Sequence, residues 1–193
     1  MPDWLKEVDT KLFFLINSRY CSFCDFIFYW ISEKWIWIPF YVFLAVIVYK
    51  NHSGQFWKIL ISIAVLILLT DQFSVFIKNF VLRYRPCHNL ILQSQIHLVN
   101  GECGGQYGFI SSHAANSAGL VMFLILLLNR KMKWITAVLI AWCFIVSYSR
   151  IYLGTHYPLD IAGGWITGML SASIVYYFYK NYFLSKEKIK TGS

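Results

Sequence analysis

The stretch Ser149-Arg150-Ile151-Tyr152-Leu153-Gly154-Thr155-His156-Tyr157-Pro158-Leu159-Asp160 decides how the rest of the chain is read. Thr155 can cap a helix N-terminus, and Pro158 suits a first turn, where its missing N–H costs little. His156 then stands at a helix start, where orphan N–H groups and the positive dipole end attract an anion. Asp160, four residues on, shares the helical face of His156 and can hold one imidazole nitrogen while the other is left to attack. Arg150 adds a planar fork of donors suited to phosphate. Histidine and arginine at a helix end serve structure more often than catalysis, so the reading turns on what else the chain brings to this place.

The chain has 193 residues, is 58% hydrophobic and 13% charged, and has a mean hydropathy of +0.54. Apolar runs long enough to span a bilayer recur along its whole length. This predicts an all-α integral membrane bundle of about six transmembrane helices forming one domain over residues 1–193. An interfacial helix is expected over 1–20, the bundle over 21–182 and a charged cytoplasmic tail over 183–193. Lys6, Glu7, Asp9 and Lys11 interrupt the first segment, so it does not read as a cleavable signal peptide. Trp4, Leu5, Val8, Leu12, Leu15 and Ile16 instead pattern as an amphipathic helix lying on the membrane surface. Spans are expected at 21–32, 35–49, 56–81, 113–128, 134–149 and 156–182. Gly164 and Gly168 have the small-xxx-small spacing of close helix contacts, which suits packing within the bundle or a homodimer face.

The net charge of +8 is a topology signal, not one for nucleic acid. A fold with both termini cytoplasmic puts Lys6, Lys11, Arg19, Lys50, Lys58, Arg130, Lys131, Lys133, Lys180, Lys186, Lys188 and Lys190 inside, 12 of the 17 Lys+Arg. Lys34, Lys78, Arg83, Arg85 and Arg150 face out. That asymmetry orients the chain with its site on the outer face of the membrane, and anionic lipid is the implied partner.

Ionisable residues within spans are costly, which makes them candidates for function. Here they are Asp71, Lys78 and Asp160, with His113, Arg150 and His156 at span ends. Lys78 and Arg85 are nearly two helical turns apart and can point to one side, and Pro86 turns Arg85 out of helical geometry. Ser111 and Ser112 are N-cap candidates that make a second anion cradle ahead of His113. Three cations, two helix N-termini and two histidines converging at one membrane surface suit a dianionic or polyanionic phosphoryl group.

Lys78-x6-Arg85-Pro86, Ser111-Ser112-His113 and Ser149-Arg150-x5-His156-x3-Asp160 together resemble the three signature motifs of the type 2 phosphatidic acid phosphatase superfamily. These are membrane lipid phosphatases that share an active-site pattern with the vanadium haloperoxidases. The middle motif departs from the usual Pro-Ser-Gly-His, with Ile110 for proline and Ser112 for glycine. The resemblance implies that His156 is the nucleophile that becomes phosphohistidine and that Asp160 orients it. It implies that His113 protonates the leaving group and then activates water, and that Lys78, Arg85, Arg150, Ser111 and Ser112 hold the phosphoryl oxygens. It implies no metal ion and no cofactor.

The expected activity is phosphate or pyrophosphate release from a membrane lipid at the outer leaflet, with undecaprenyl pyrophosphate as first choice. Phosphatidylglycerol phosphate, phosphatidic acid and lipid A are alternatives. A non-catalytic anionic-lipid-binding protein needs neither histidine nor Asp160, a transporter calls for half-helices or repeats that are not seen, and haloperoxidase relatives are soluble. Cys87 and Cys103 lie in the outer loop, where a disulfide fits an oxidising compartment, while spacing alone does not prove proximity. A zinc site from Cys87, His88, His97 and Cys103 fits no common pattern. Cys21 and Cys24 read as incidental. Asp71 pairs with Lys78 or with a neighbouring span. Tyr107 and Phe109 serve either a lipid chain or ordinary packing.

Overall fold

A computed structural model describes residues 2–128 and 132–184. The charged tail beyond Leu184 and most of the basic turn after Leu128 lie outside the described residues. Among the described residues there are seven α-helices: α1 (Asp3–Asn17), α2 (Ser22–Ser32), α3 (Ile38–His52), α4 (Phe56–Val81), α5 (Ser112–Leu127), α6 (Lys133–Tyr152) and α7 (Pro158–Tyr179). The stretches Lys34–Val81, Lys133–Tyr152 and Pro158–Tyr182 are long and apolar enough to cross a membrane. Their outward faces carry exposed apolar side chains such as Trp57, Phe76, Phe80 and Leu170, the inverse of a soluble surface. Hydrocarbon is the solvent that such a belt fits.

α5 is the central helix. It is shorter and richer in Ala, Ser and Gly, and most of its residues are buried. α7 packs along it through Gly164 and Gly168. A Cβ added at Gly168 would lie 2.1 Å from the Ala115 carbonyl oxygen, and one at Gly164 would lie 2.6 Å from that of Ser111. The small-residue stripe therefore closes the monomer's own core.

Two expectations about the first third of the chain change. The segment expected as the first span forms α2, whose 11 residues rise about 16 Å, half a bilayer core. Its Cys21 N–H and Asp25 carboxylate bond the Tyr152 hydroxyl at 3.3 and 2.6 Å, and its Ser32 hydroxyl accepts from Arg150. Both ends of α2 thus meet the C-terminal end of α6.

α1 lies at that same end. Asp9, Phe13 and Asn17, spaced four apart on one face, are buried against the bundle, while Trp4, Val8, Leu12 and Leu15 on the other face are exposed. Asn17 donates to the carbonyls of His97 and Tyr152 at 2.9 and 2.8 Å and accepts the His97 N–H at 2.9 Å. The N-terminal helix, which carries Lys6 and Lys11, therefore shares a side with His156 and Asp160. A cytoplasmic N-terminus opposite the site does not fit this geometry. The physical reason is the polar inner stripe, whose partners stand at the site end: the His97 and Tyr152 carbonyls, the Leu159 N–H and Arg83.

Replacing Gly168 by alanine should overpack the α5–α7 contact, costing about 1–3 kcal/mol and lowering the midpoint of thermal unfolding in detergent. Gly54→Ala, where nothing lies within 4 Å of an added Cβ, should leave the midpoint unchanged.

Candidate active site

Ser111 is the N-cap of α5: its hydroxyl accepts the Ala114 N–H at 3.5 Å, and its own N–H donates to the Asp160 carbonyl at 2.9 Å. That cross-link sets the starts of α5 and α7 side by side. The Ser111 side chain is fully buried in this cap, so of the two serines Ser112 is the one that reaches the cavity.

Tyr157, not Thr155, is the N-cap of α7, and its N–H donates to Asp160 Oδ2 at 2.9 Å. The Thr155 hydroxyl instead donates to the Arg150 carbonyl at 2.8 Å. His156 therefore precedes the helix and meets Asp160 because the carboxylate folds back over the cap, not because the two share a helical face. Gly154 makes the turn. Its φ is +76°, and a Cβ there would lie 2.9 Å from the His97 carbonyl oxygen, so only glycine fits.

His156 is 1% exposed. Its Nε2 lies 3.4 Å from Arg85 Nη1, and its Nδ1 lies 3.4 Å from Asp160 Oδ2, a contact with room to tighten when substrate binds. Burial first, then the charges of Arg85, Arg150 and Lys78, hold this imidazole well below the usual histidine range. It stays neutral near pH 7 and keeps a lone pair for attack.

Arg85 does not arrive on a helix. α4 stops at Val81, and Leu82 takes a left-handed φ of 53°. Residues 83–85 then run extended beside 106–108: Arg85 N–H donates to Gln106 O at 3.1 Å and Gly108 N–H to Arg83 O at 2.8 Å. Alternate residues of an extended chain point the same way. Arg83 and Arg85 consequently both reach the dyad, Arg85 toward His156 and Arg83 onto Asp160 Oδ1 at 2.7 Å. Sequence reasoning placed Arg83 only by its side of the membrane. The Arg-x-Arg spacing ahead of Pro86 was the available signal.

Lys78, Arg85, Ser112, His113, Arg150 and His156 line one cavity of about 590 Å³. Lys78 Nζ donates to Ser112 Oγ at 2.6 Å, and the buried Arg150 Nε has no hydrogen-bond partner. Lys34, not anticipated as a site residue, lines the same wall. Ser112 and His113 also border a second cavity of about 420 Å³, mainly apolar, between α3, α4, α5 and α6. It runs along α5 from His113 to Leu124, about 16 Å by helical rise. Asp71 lines it and accepts from Asn116 Nδ2 at 2.9 Å, so its partner is the neighbouring helix.

Cys87 and Cys103 are disulfide-bonded, as are Cys21 and Cys24. With both thiols bonded, His88 is the one member left of the Cys87, His88 and Cys103 cluster that could ligate metal. His97 stands elsewhere, stacked on Tyr20 at 3.8 Å and bonded to Asp25 at 2.9 Å. Tyr107 pairs with Tyr84, and the Phe109 ring packs on Gly163.

The geometry is a neutral buried imidazole facing a cation-lined cavity, with a second imidazole on the adjoining helix, and it suits attack on a phosphoryl group. A family model for the PAP2 superfamily matches residues 55–184. The chain belongs to the PAP2 superfamily. It is 35% identical over 183 residues to the lipid A 4'-phosphatase of Bacteroides thetaiotaomicron, covering 92% of this chain and 79% of that one. It is 27% identical over 164 residues to an undecaprenyl-diphosphatase of Sulfolobus acidocaldarius, covering 83% and 73%. The crystal structure of a transmembrane PAP2-type phosphatidylglycerolphosphate phosphatase from Bacillus subtilis superposes with a TM-score of 0.68 at 17% identity, covering 94% of this chain and 89% of that one. This PAP2 member is a lipid phosphatase.

The Cys87–Cys103 bond closes the loop that carries Arg85, and Gly104 rests on the Arg85 guanidinium. Replacing both cysteines by serine should loosen Arg85, raising KM for the lipid phosphate several-fold and lowering kcat as well, as read from initial rates in detergent micelles.

Proposed function

We propose that the enzyme is a lipid A phosphatase that hydrolyses a phosphate monoester at the outer leaflet through a phosphohistidine. The observation that carries the chemistry is the buried His156, with Nδ1 toward Asp160 and Nε2 toward the cation-lined cavity. Nε2 attacks phosphorus, a P–N bond forms, and the P–O bond to the lipid breaks. The leaving oxygen takes a proton from His113, and the Nδ1 proton stays in contact with Asp160. Water then attacks phosphorus, giving its proton to His113, and the P–N bond breaks to release phosphate. Lys78, Arg85, Arg150 and the Ser112 hydroxyl hold the oxygens on which charge collects. Ser111 contributes by capping α5.

The apolar cavity beside His113 supports a substrate with hydrocarbon chains. Lipid A replaces undecaprenyl pyrophosphate as first choice because the likeness to the lipid A 4'-phosphatase is higher and covers more of this chain. The site then faces the periplasm with α1 beside it, and Tyr179 lies toward the cytoplasm.

Detergent-purified protein in EDTA, given lipid A, undecaprenyl pyrophosphate, phosphatidylglycerol phosphate and phosphatidic acid, should release phosphate fastest from lipid A. His156→Ala should abolish release, and Lys78→Ala should lower kcat on the order of a hundredfold. Faster release from undecaprenyl pyrophosphate would move the assignment to that lipid, and release that survives in His156→Ala would end the phosphohistidine reading.

A further inference from the structure

Asp160 has a stronger partner than His156. Its Oδ1 accepts from Arg83 Nη1 at 2.7 Å, and the same guanidinium donates through Nη2 to Asp9 Oδ2 of α1 at 2.5 Å. Asp9 Oδ1 in turn accepts the Leu159 N–H, one residue before Asp160, at 2.9 Å. The Arg83 guanidinium also lies 4.2 Å over the Tyr157 ring, on the N-cap residue of α7. Both carboxylate side chains are 0% exposed and that of Arg83 is 16% exposed. From these contacts we infer that Arg83 is a positioning residue for the phosphatase reaction, and that Asp9 makes α1 part of the apparatus that aims His156.

The division of the guanidinium is the central point. Asp9 engages Nη2, and the hydrogen bond that Arg83 gives Asp160 is the one from Nη1 to Oδ1. Asp160 Oδ2 is thereby left for the Tyr157 N–H and for His156 Nδ1. Without the charge on Asp9, the fork is free to turn both nitrogens onto Asp160 and draw Oδ2 away from the imidazole. Without Arg83, nothing at Oδ1 fixes the carboxylate rotation, and two buried carboxylates face each other without their cation. Either change disorients the nucleophile without touching the groups that bind phosphate, so kcat should fall while KM holds.

This inference rests on the phosphohistidine reading above. The test uses the full chain in detergent, with lipid A as substrate, the folded fraction checked by thermal unfolding, and His156→Ala alongside. Arg83→Gln should lower kcat of the folded protein on the order of a hundredfold, the loss typical of a misaimed reacting group, with KM within about twofold. Arg83→Lys keeps the charge but loses the rigid planar fork that fixes the two carboxylates relative to each other, and should recover part of the rate. Asp9→Asn keeps an acceptor for Leu159 and is the variant most apt to fold. It should lower kcat about tenfold, the lower end of losses for groups that orient a reacting side chain. The double variant should be no slower than Arg83→Gln, because Asp9 acts through Arg83.

A folded Asp9→Asn or Arg83→Gln protein with wild-type kcat would overturn the inference, as would losses that multiply in the double variant. Activity that persists in His156→Ala would overturn the phosphohistidine reading itself and leave Arg83 no nucleophile to position.

Discussion

The distance between α5 and α7 governs the site, because each helix brings one histidine to it. A carbonyl of α5 lies where the Cβ of any other residue at Gly168 would stand. The same contact continues upward through Gly164 to the Ser111–Asp160 backbone bond, which joins the two helix starts directly. Helices in lipid have little hydrophobic drive to associate, since the tails around them are equally apolar. Close backbone packing and interhelical hydrogen bonds do that work instead, and here they also set the separation of His113 from His156.

Gathering Lys78, Arg85 and Arg150 around one buried imidazole is costly in the absence of anionic substrate. The fold offsets part of that cost by giving the cations local partners, Ser112 for Lys78 and Ser32 for Arg150. Both partners are neutral hydroxyls, which orient a cation without cancelling its charge. The Asp9–Arg83–Asp160 ion-pair network lies on the Nδ1 side of His156. Glu33 and Glu102 line the same cavity and lessen the repulsion among its cations.

The sequence disclosed the chemistry better than the local geometry that delivers it. Six of the eight expected site residues line one cavity and Asp160 meets His156 from behind, since residue type and motif spacing carry that information. The end of the helix at Val81 was legible, but the Lys78–Arg85 spacing counted in helical turns does not describe the extended route between them. Nothing in Val81-Leu82-Arg83 announces a left-handed leucine, which the pairing of 83–85 with 106–108 imposes from a distance. Thr155 looked like a cap by type, but Tyr157 took the position because the Asp160 carboxylate reaches its N–H. The placement of α1 was illegible for a related reason. Asp9 stood among the charges that interrupt a surface helix, yet it is on the buried side, because its partners are the Leu159 N–H and the Arg83 guanidinium, which only the folded chain brings to it.

The apolar cavity that begins at His113 changes what substrate concentration means for this enzyme. A lipid whose chains enter between the helices of the bundle never passes through water, so its encounter with His156 is a search in two dimensions. The quantity that saturates such a site is the mole fraction of substrate among the surrounding lipids. Dilution of the whole membrane suspension leaves that fraction, and hence the rate per enzyme, untouched. Enlarging the pool of inert lipid slows the reaction.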